Sequence, residues 1–329
     1  MPEQNPIKIE YEYPKFSRIA FSNLLDFLLC TLIALLIFIP TKKIVEIDAT
    51  YITKTKEFDA LKIDSNLYTY SSDKKRIQDV VTYYNESTIY SQNEMETNLA
   101  LCIENFINFT KDKVNVTKGE EIKKTYDEFR TKDTLVYEGN PYFVIESGLI
   151  IKNTAANIPS KQYVENVYKY YIDNYALGQF ISTNETALNY QKFFSDKLFF
   201  LEIPISLAAG IIIYFYIIPL CFSRGKKTFG KLAFQIGTVN SKLLSPKFLE
   251  FTINFLIFFF LECLLSVVAL GVPLIISFSM SAFSKKRQNF HNYVTAFYLV
   301  DTNQKIYKNL DEITKEELKD DEPINFRQK

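Results

Sequence analysis

Between Arg18 and Ile39 the chain reads RIAFSNLLDFLLCTLIALLIFI, about 22 residues that carry an arginine at one end and an aspartate eight positions on. A bilayer-spanning helix needs roughly 20 predominantly apolar residues, so the stretch qualifies. A carboxylate well inside hydrocarbon costs at least ~2.5 kcal/mol on insertion scales, so Asp26 must face something other than lipid. Steps of four drift slowly around a helix, which puts Arg18, Ser22, Asp26 and Cys30 on one polar-leaning ridge. That ridge is expected to face protein or a wet cavity, with Arg18 and Asp26 as a sheltered charged pair. The run exceeds the ~7–15 apolar residues of a signal peptide, and Ile39-Pro40-Thr41 is no small-x-small cleavage site. Residues 18–40 therefore read as a retained first transmembrane helix behind a polar cytoplasmic tail, 1–17.

Two further apolar runs follow. Residues 198–222, LFFLEIPISLAAGIIIYFYIIPLCF, make a second span. Residues 248–284 are too long for one ordinary crossing, since about 36 helical residues would run ~54 Å against a core near 30 Å. Gly271 and Pro273 interrupt them, so a transmembrane hairpin of 248–267 and 272–284 is expected, with a re-entrant second arm as the competing arrangement. The loop 223–247 holds Arg224, Lys226, Lys227, Lys231, Lys242 and Lys247 and no acid. Short loops rich in Lys and Arg stay on the cytoplasmic side. That rule puts 223–247 inside, 41–197 outside, and 285–329 inside as a charged tail. The expected fold is thus an all-α polytopic membrane domain with four crossings and both termini inside, in the cell membrane. An extracytoplasmic, mainly α domain with a small β element is inserted in it.

Within 41–197, Asn93–Phe109 and Lys161–Ile181 carry apolar residues at helical spacing, the second with a stripe of Val164, Val167, Tyr168, Tyr171 and Tyr175. That stripe reads as core. Thr134–Ile151 has β-rich runs separated by turn residues, which predicts a hairpin or small meander. Glu185–Lys197 is expected to run straight into the second span. Only Cys102 of the four cysteines lies in this domain, so it folds without an internal disulfide. The formal net charge is zero, without the basic field of a nucleic-acid binder.

Gly225-Lys-Lys-Thr228-Phe-Gly230-Lys231 has the G-x-x-x-x-G-K skeleton of a phosphate loop, but Leu232 stands where a Ser or Thr would hold magnesium. Phe229, Leu232, Ala233 and Ile236 instead predict a short amphipathic helix on the inner membrane surface. Glu262 is a second intramembrane acid. Exposure at the interface is its expected state, with a meeting with Glu202 as the alternative. His291, the one histidine, can build neither a zinc site nor a catalytic triad alone and reads as a packing or hydrogen-bonding residue. No catalytic constellation emerges, so no enzyme, cofactor or metal is expected.

Three pieces together resemble the RDD family of bacterial multi-pass membrane proteins. They are Arg18 and Asp26 in the first span, the 225–231 loop with its Thr228, Gly230 and Lys231, and Arg287-Gln-Asn-Phe-His291-Asn292-Tyr-Val-Thr295 with the closing Leu299-Val300-Asp301. The resemblance covers roughly 15–40 and 198–301. The loop has one extra residue, and Asn292 stands where the family has its second named aspartate, losing charge and proton exchange. The family resemblance implies transport, or a transport-accessory role, for ions or small solutes. The competing expectation is a non-catalytic scaffold or regulator whose 41–197 domain binds a protein or envelope partner. The lipid bilayer is a partner in either case.

Overall fold

The structure, a computed structural model, describes residues 11–303 and 305–317, without the side chains of 314–317. The expectations for 1–10 and for 318–329 lie outside the described residues. Helix α1, Phe16–Glu46, is longer than the apolar run at both ends. Its sides are inverted relative to a water-soluble helix. Ile19, Ser22, Asp26, Cys30 and Ala34 are buried, while Phe21, Leu24, Phe27, Leu28, Leu32, Leu35 and Leu36 are exposed. Small and polar residues facing protein with large apolar ones facing outward is the pattern that a lipid solvent selects.

Residues 44–199 form one compact unit, and 1–43 with 200–329 form another. The first unit contains α2 (Ala49–Asp64), the pair β1 (Tyr68–Tyr70) and β2 (Ile77–Asp79), α3 (Val80–Glu86), α4 (Gln92–Phe109) and α5 (Val116–Arg130). Two hairpins follow, β3 (Val136–Tyr137) with β4 (Asn140–Pro141), and β5 (Phe143–Glu146) with β6 (Leu149–Lys152). Helix α6 then runs over residues 160–183. The starts of α4 and α5 are written in their caps. Ser91 and Glu94 form a reciprocal capping box, and the Asn115 side chain accepts from Thr117 and Lys118.

The core of this unit joins Leu99, Ile103, Phe106 and Ile107 of α4 to Tyr163, Val164, Val167, Tyr168 and Tyr171 of α6, as the spacing predicted. Cys102 and Tyr175 pack at its margin. Two wider-wound stretches of α6, Val164–Lys169 and Ile172–Ala176, offset the drift of a 3.6-residue helix and keep positions four apart on the buried side.

Helix α7, Glu185–Cys221, is continuous, as expected of 185–197 and the second span. Beyond it lie α8 (Phe229–Ala233), β7 (Ile236–Val239), α9 (Phe248–Val268), α10 (Val272–Phe283), α11 (Phe290–Val294), β8 (Tyr298–Asp301) and α12 (Leu310–Glu317). Strand β7 pairs antiparallel with β8, from Ile236 opposite Asp301 to Val239 opposite Tyr298. This pairing shortens the expected helix: α8 holds Phe229, Leu232 and Ala233 but ends at Ala233, Phe234 caps it, and Ile236 lies buried in the strand. The β-branched Ile236, Thr238 and Val239 have a strand partner 60 residues downstream, which no local pattern reveals.

Among the described residues three helices, α1, α7 and α9, are long and apolar enough to cross a membrane. The hairpin turns where expected, with Gly271 at φ 84°. Its second arm α10 has 12 residues. That is ~18 Å of helix, short of a core near 30 Å.

Candidate functional site

Asp26 is the centre of the buried polar network. The Tyr214 hydroxyl of α7 donates to its Oδ1 at 2.6 Å, and the Thr228 hydroxyl donates to its Oδ2 at 2.6 Å. The Gly230 backbone N–H donates to Oδ1 at 2.8 Å. Thr228 is also the N-cap of α8, accepting from the Lys231 N–H at 3.2 Å. The 225–231 loop is therefore a clasp on an intramembrane carboxylate. Its second glycine is required because a Cβ at 230 would stand 2.5 Å from Asp26 Oδ1. Lys231 turns away, its Nζ 3.3 Å from Thr238 Oγ1 of β7. Burial holds its ammonium below the usual lysine range, and the nearby charge of Asp26 partly offsets this.

Arg18 does not pair with Asp26, contrary to expectation. Eight residues of helix separate the two by about 12 Å along the axis, beyond side-chain contact. Arg18 instead donates to the Asp301 carboxylate, to Phe234 O through Nε at 3.0 Å and Nη2 at 2.6 Å, and to Gln235 O at 3.1 Å. Its planar fork thus ties the end of α8 to β8. Asp301 N–H donates to Glu12 O at 2.9 Å, which brings a third chain segment to the same place.

A second network lies along α9. Glu262 is buried, not exposed at an interface. Its Oε1 accepts from the His291 backbone N–H at 2.7 Å and lies 2.8 Å from His291 Nδ1. The histidine ring also meets Phe258 edge-on, with centroids 5.2 Å apart. Below it, Asn254 Nδ2 reaches Thr295 Oγ1 at 2.7 Å and Asn292 Oδ1 at 3.2 Å. Residues that follow α10 fold back against α9, and this carries His291 to Glu262. Glu202 is buried too, but Glu262's contact is with His291.

The candidates thus separate into two groups: Arg18, Asp26, Thr228, Gly230 and Lys231 around α8, and Glu262, His291 and Asn292 along α9. Tyr214, Asp301 and Asn254 complete the networks and were not singled out as site residues. A tyrosine or an asparagine inside an apolar run was the available signal, since each must find a hydrogen-bond partner there.

No curated protein and no solved structure matches the chain. The model of the RDD family matches residues 169–295, a stretch that contains Thr228, Gly230, Lys231, Glu262, His291 and Asn292 but not α1. It begins earlier than the resemblance had placed it, inside α6. Residues 169–295 are thus similar to the RDD family of proteins, and among the described residues three helices are long and apolar enough to cross a membrane.

Proposed function

We propose that the protein is a non-catalytic membrane scaffold or regulator whose separately cored unit, residues 44–199, holds a protein or envelope partner outside the cytosol. The observation that carries this reading is the enclosure of Asp26, which is 2% exposed and held by three donors from α7 and the 225–231 loop. A carboxylate that passes an ion or proton needs open coordination toward a wet path. One wrapped by two hydroxyls and an amide, with three of its roughly four acceptor sites used, is suited to holding helices together. The meeting of Glu12, β7 and β8 in one place, next to a loop rich in lysine, supports a cytosolic assignment for all three. The opposite end of α1 then leads outside.

The test is reconstitution of the full chain in vesicles, with photo-crosslinkers in 44–199 for the partner arm. Ion and proton flux should not exceed that of empty vesicles, and deletion of 44–199 should release the trapped partner. Flux that Asp26→Asn abolishes in a folded protein refutes the reading, as does a partner that stays bound after the deletion.

One observation favours a second reading, transport or transport support for ions or small solutes. Glu262 of α9 and His291 of α11 make a buried acid–imidazole contact. Under that reading Glu262→Gln removes proton flux from a folded protein, and unchanged flux eliminates it.

A further inference from the structure

The lysines of the 225–231 loop remain once its other groups are placed. The Gly225 N–H donates to Ser245 Oγ at 3.0 Å, and Gly230 N–H and the Thr228 hydroxyl are committed to Asp26. The amides and hydroxyl that a phosphate loop turns on a nucleotide are thus used within the fold. Lys226 and Lys227 have no such use. Both are half-buried, and among the described residues no carboxylate pairs with either. The Lys227 stem lies by β7, its Cε 3.7 Å from where a Gly237 Cβ would stand. Lys226 lies near Cys221, the last residue of α7, and so at the depth where a span ends. Burial pushes both ammonium groups below the ordinary lysine range, and for Lys226 the neighbouring Lys308 adds to the effect.

The acids nearby are already engaged. Glu312 is paired with Arg224 and accepts the Lys308 N–H, while Asp26 is buried and held by three donors. Beside the lysines, Phe229 and Leu232 are 44% and 45% exposed. Unneutralised, partly desolvated cations next to exposed apolar side chains, at the end of a membrane helix, call for an anion with a hydrocarbon neighbour. Lysine ammonium groups recognise phosphate as point charges and need no fork geometry.

We propose that Lys226 and Lys227 bind the phosphate of an anionic phospholipid headgroup, with Phe229 and Leu232 against its acyl region. The bound lipid would then brace the clasp on Asp26, because the same loop carries both. Each lysine near an anionic surface contributes roughly fivefold in affinity, so removing both charges should cost about 25-fold.

The experiment places the full chain in nanodiscs of phosphatidylcholine, phosphatidylcholine with phosphatidylglycerol, or phosphatidylcholine with added inorganic phosphate. Retained lipid is read by native mass spectrometry and unfolding by heating. Phosphatidylglycerol should be retained and should raise the unfolding temperature. Lys226→Gln with Lys227→Gln should lose both effects, and Lys226→Arg with Lys227→Arg should keep them. Lys242→Gln with Lys247→Gln, which removes the same charge from exposed positions between β7 and α9, should change little. Equal behaviour of the two lipid mixtures overturns the proposal, and so does undiminished retention by the double glutamine variant. An equal shift from inorganic phosphate alone also overturns it, because the site would then take a soluble anion.

Discussion

Substituting Gly230 by alanine tests the clasp directly. The added Cβ would stand 2.5 Å from Asp26 Oδ1 and 2.7 Å from Asp26 Cγ, and would also press on the backbone carbonyl of Ser22. That carbonyl belongs to α1 and cannot swing aside as a side chain could, so the loop must recede. Receding breaks the 2.8 Å bond from Gly230 N–H to the carboxylate and strains the neighbouring one from Thr228. Overpacking costs about 1–3 kcal/mol, and loss of a hydrogen bond to a charged group about 1.5–3 kcal/mol. The sum, roughly 2.5–6 kcal/mol, is a large share of the stability of an ordinary fold. The chain has no tryptophan, but Cys30 is buried one turn beyond Asp26 on α1 and can report. With Cys102, Cys221 and Cys263 changed to serine, a thiol-reactive dye should label Cys30 of Gly230→Ala at a clearly lower temperature than the parent. Gly178→Ala, where nothing lies within 4 Å of the added Cβ, should follow the parent. Superimposable curves for the parent and Gly230→Ala would refute the reasoning.

The same dye reports on the contact of the first two long helices: a Cβ on Gly210 would stand 2.9 Å from Ala34 Cβ, so Gly210→Val should lower the labelling temperature, by about 1–3 kcal/mol of overpacking. An unchanged curve would mean that the helices do not meet there. Asp301 supplies a pH dependence. Burial alone would raise its pKa, but the hydrogen bond and charge of Arg18, with the Asn303 N–H, hold the carboxyl below the usual range. A lowered folded-state pKa gives stability that is present above the ordinary value near ~3.9 and lost as pH falls through the folded one. Hydrogen exchange at the β7–β8 amides should therefore rise only under acid conditions, and Asp301→Asn should remove that dependence. An Asp301→Asn profile that still follows the wild-type pH curve would exclude Arg18–Asp301 as its source. Asn254→Ala should leave Asn292 and Thr295 short of a buried donor at a cost of about 1–3 kcal/mol. Its readout is faster exchange at the Phe297 amide, which donates to Asn292 O, and unaltered exchange there would count against the network.

What could be read from residues in order was whatever repeats locally. The apolar runs located α1, the end of α7 and both arms of the hairpin, because lipid demands a minimum length of apolar helix. The four-residue ridge from Arg18 through Asp26 to Cys30 marked the inward side of α1, and Leu99, Ile103, Phe106 and Tyr171 marked the inner faces of α4 and α6. Partners were a different matter. Arg18 and Asp26 were the obvious couple in one helix, yet each found its match more than 180 residues away, in Asp301, Tyr214 and Thr228. Glu262 looked like an interfacial acid because its partner, His291, follows a helix too short to cross. The short helix of the lysine-bearing loop ended before Ile236 because that residue pairs with β8.

Local spacing states which side of a helix must be hidden and whether the chain favours lipid, since both depend on the period of one segment. Which donors satisfy a buried charge depends on where distant segments close, and that is settled by how α7, the 225–231 loop and the short arm α10 pack. Hence the membrane character of this protein was written in its residue order, whereas the clasp on Asp26 and the Glu262–His291 contact emerged only on folding.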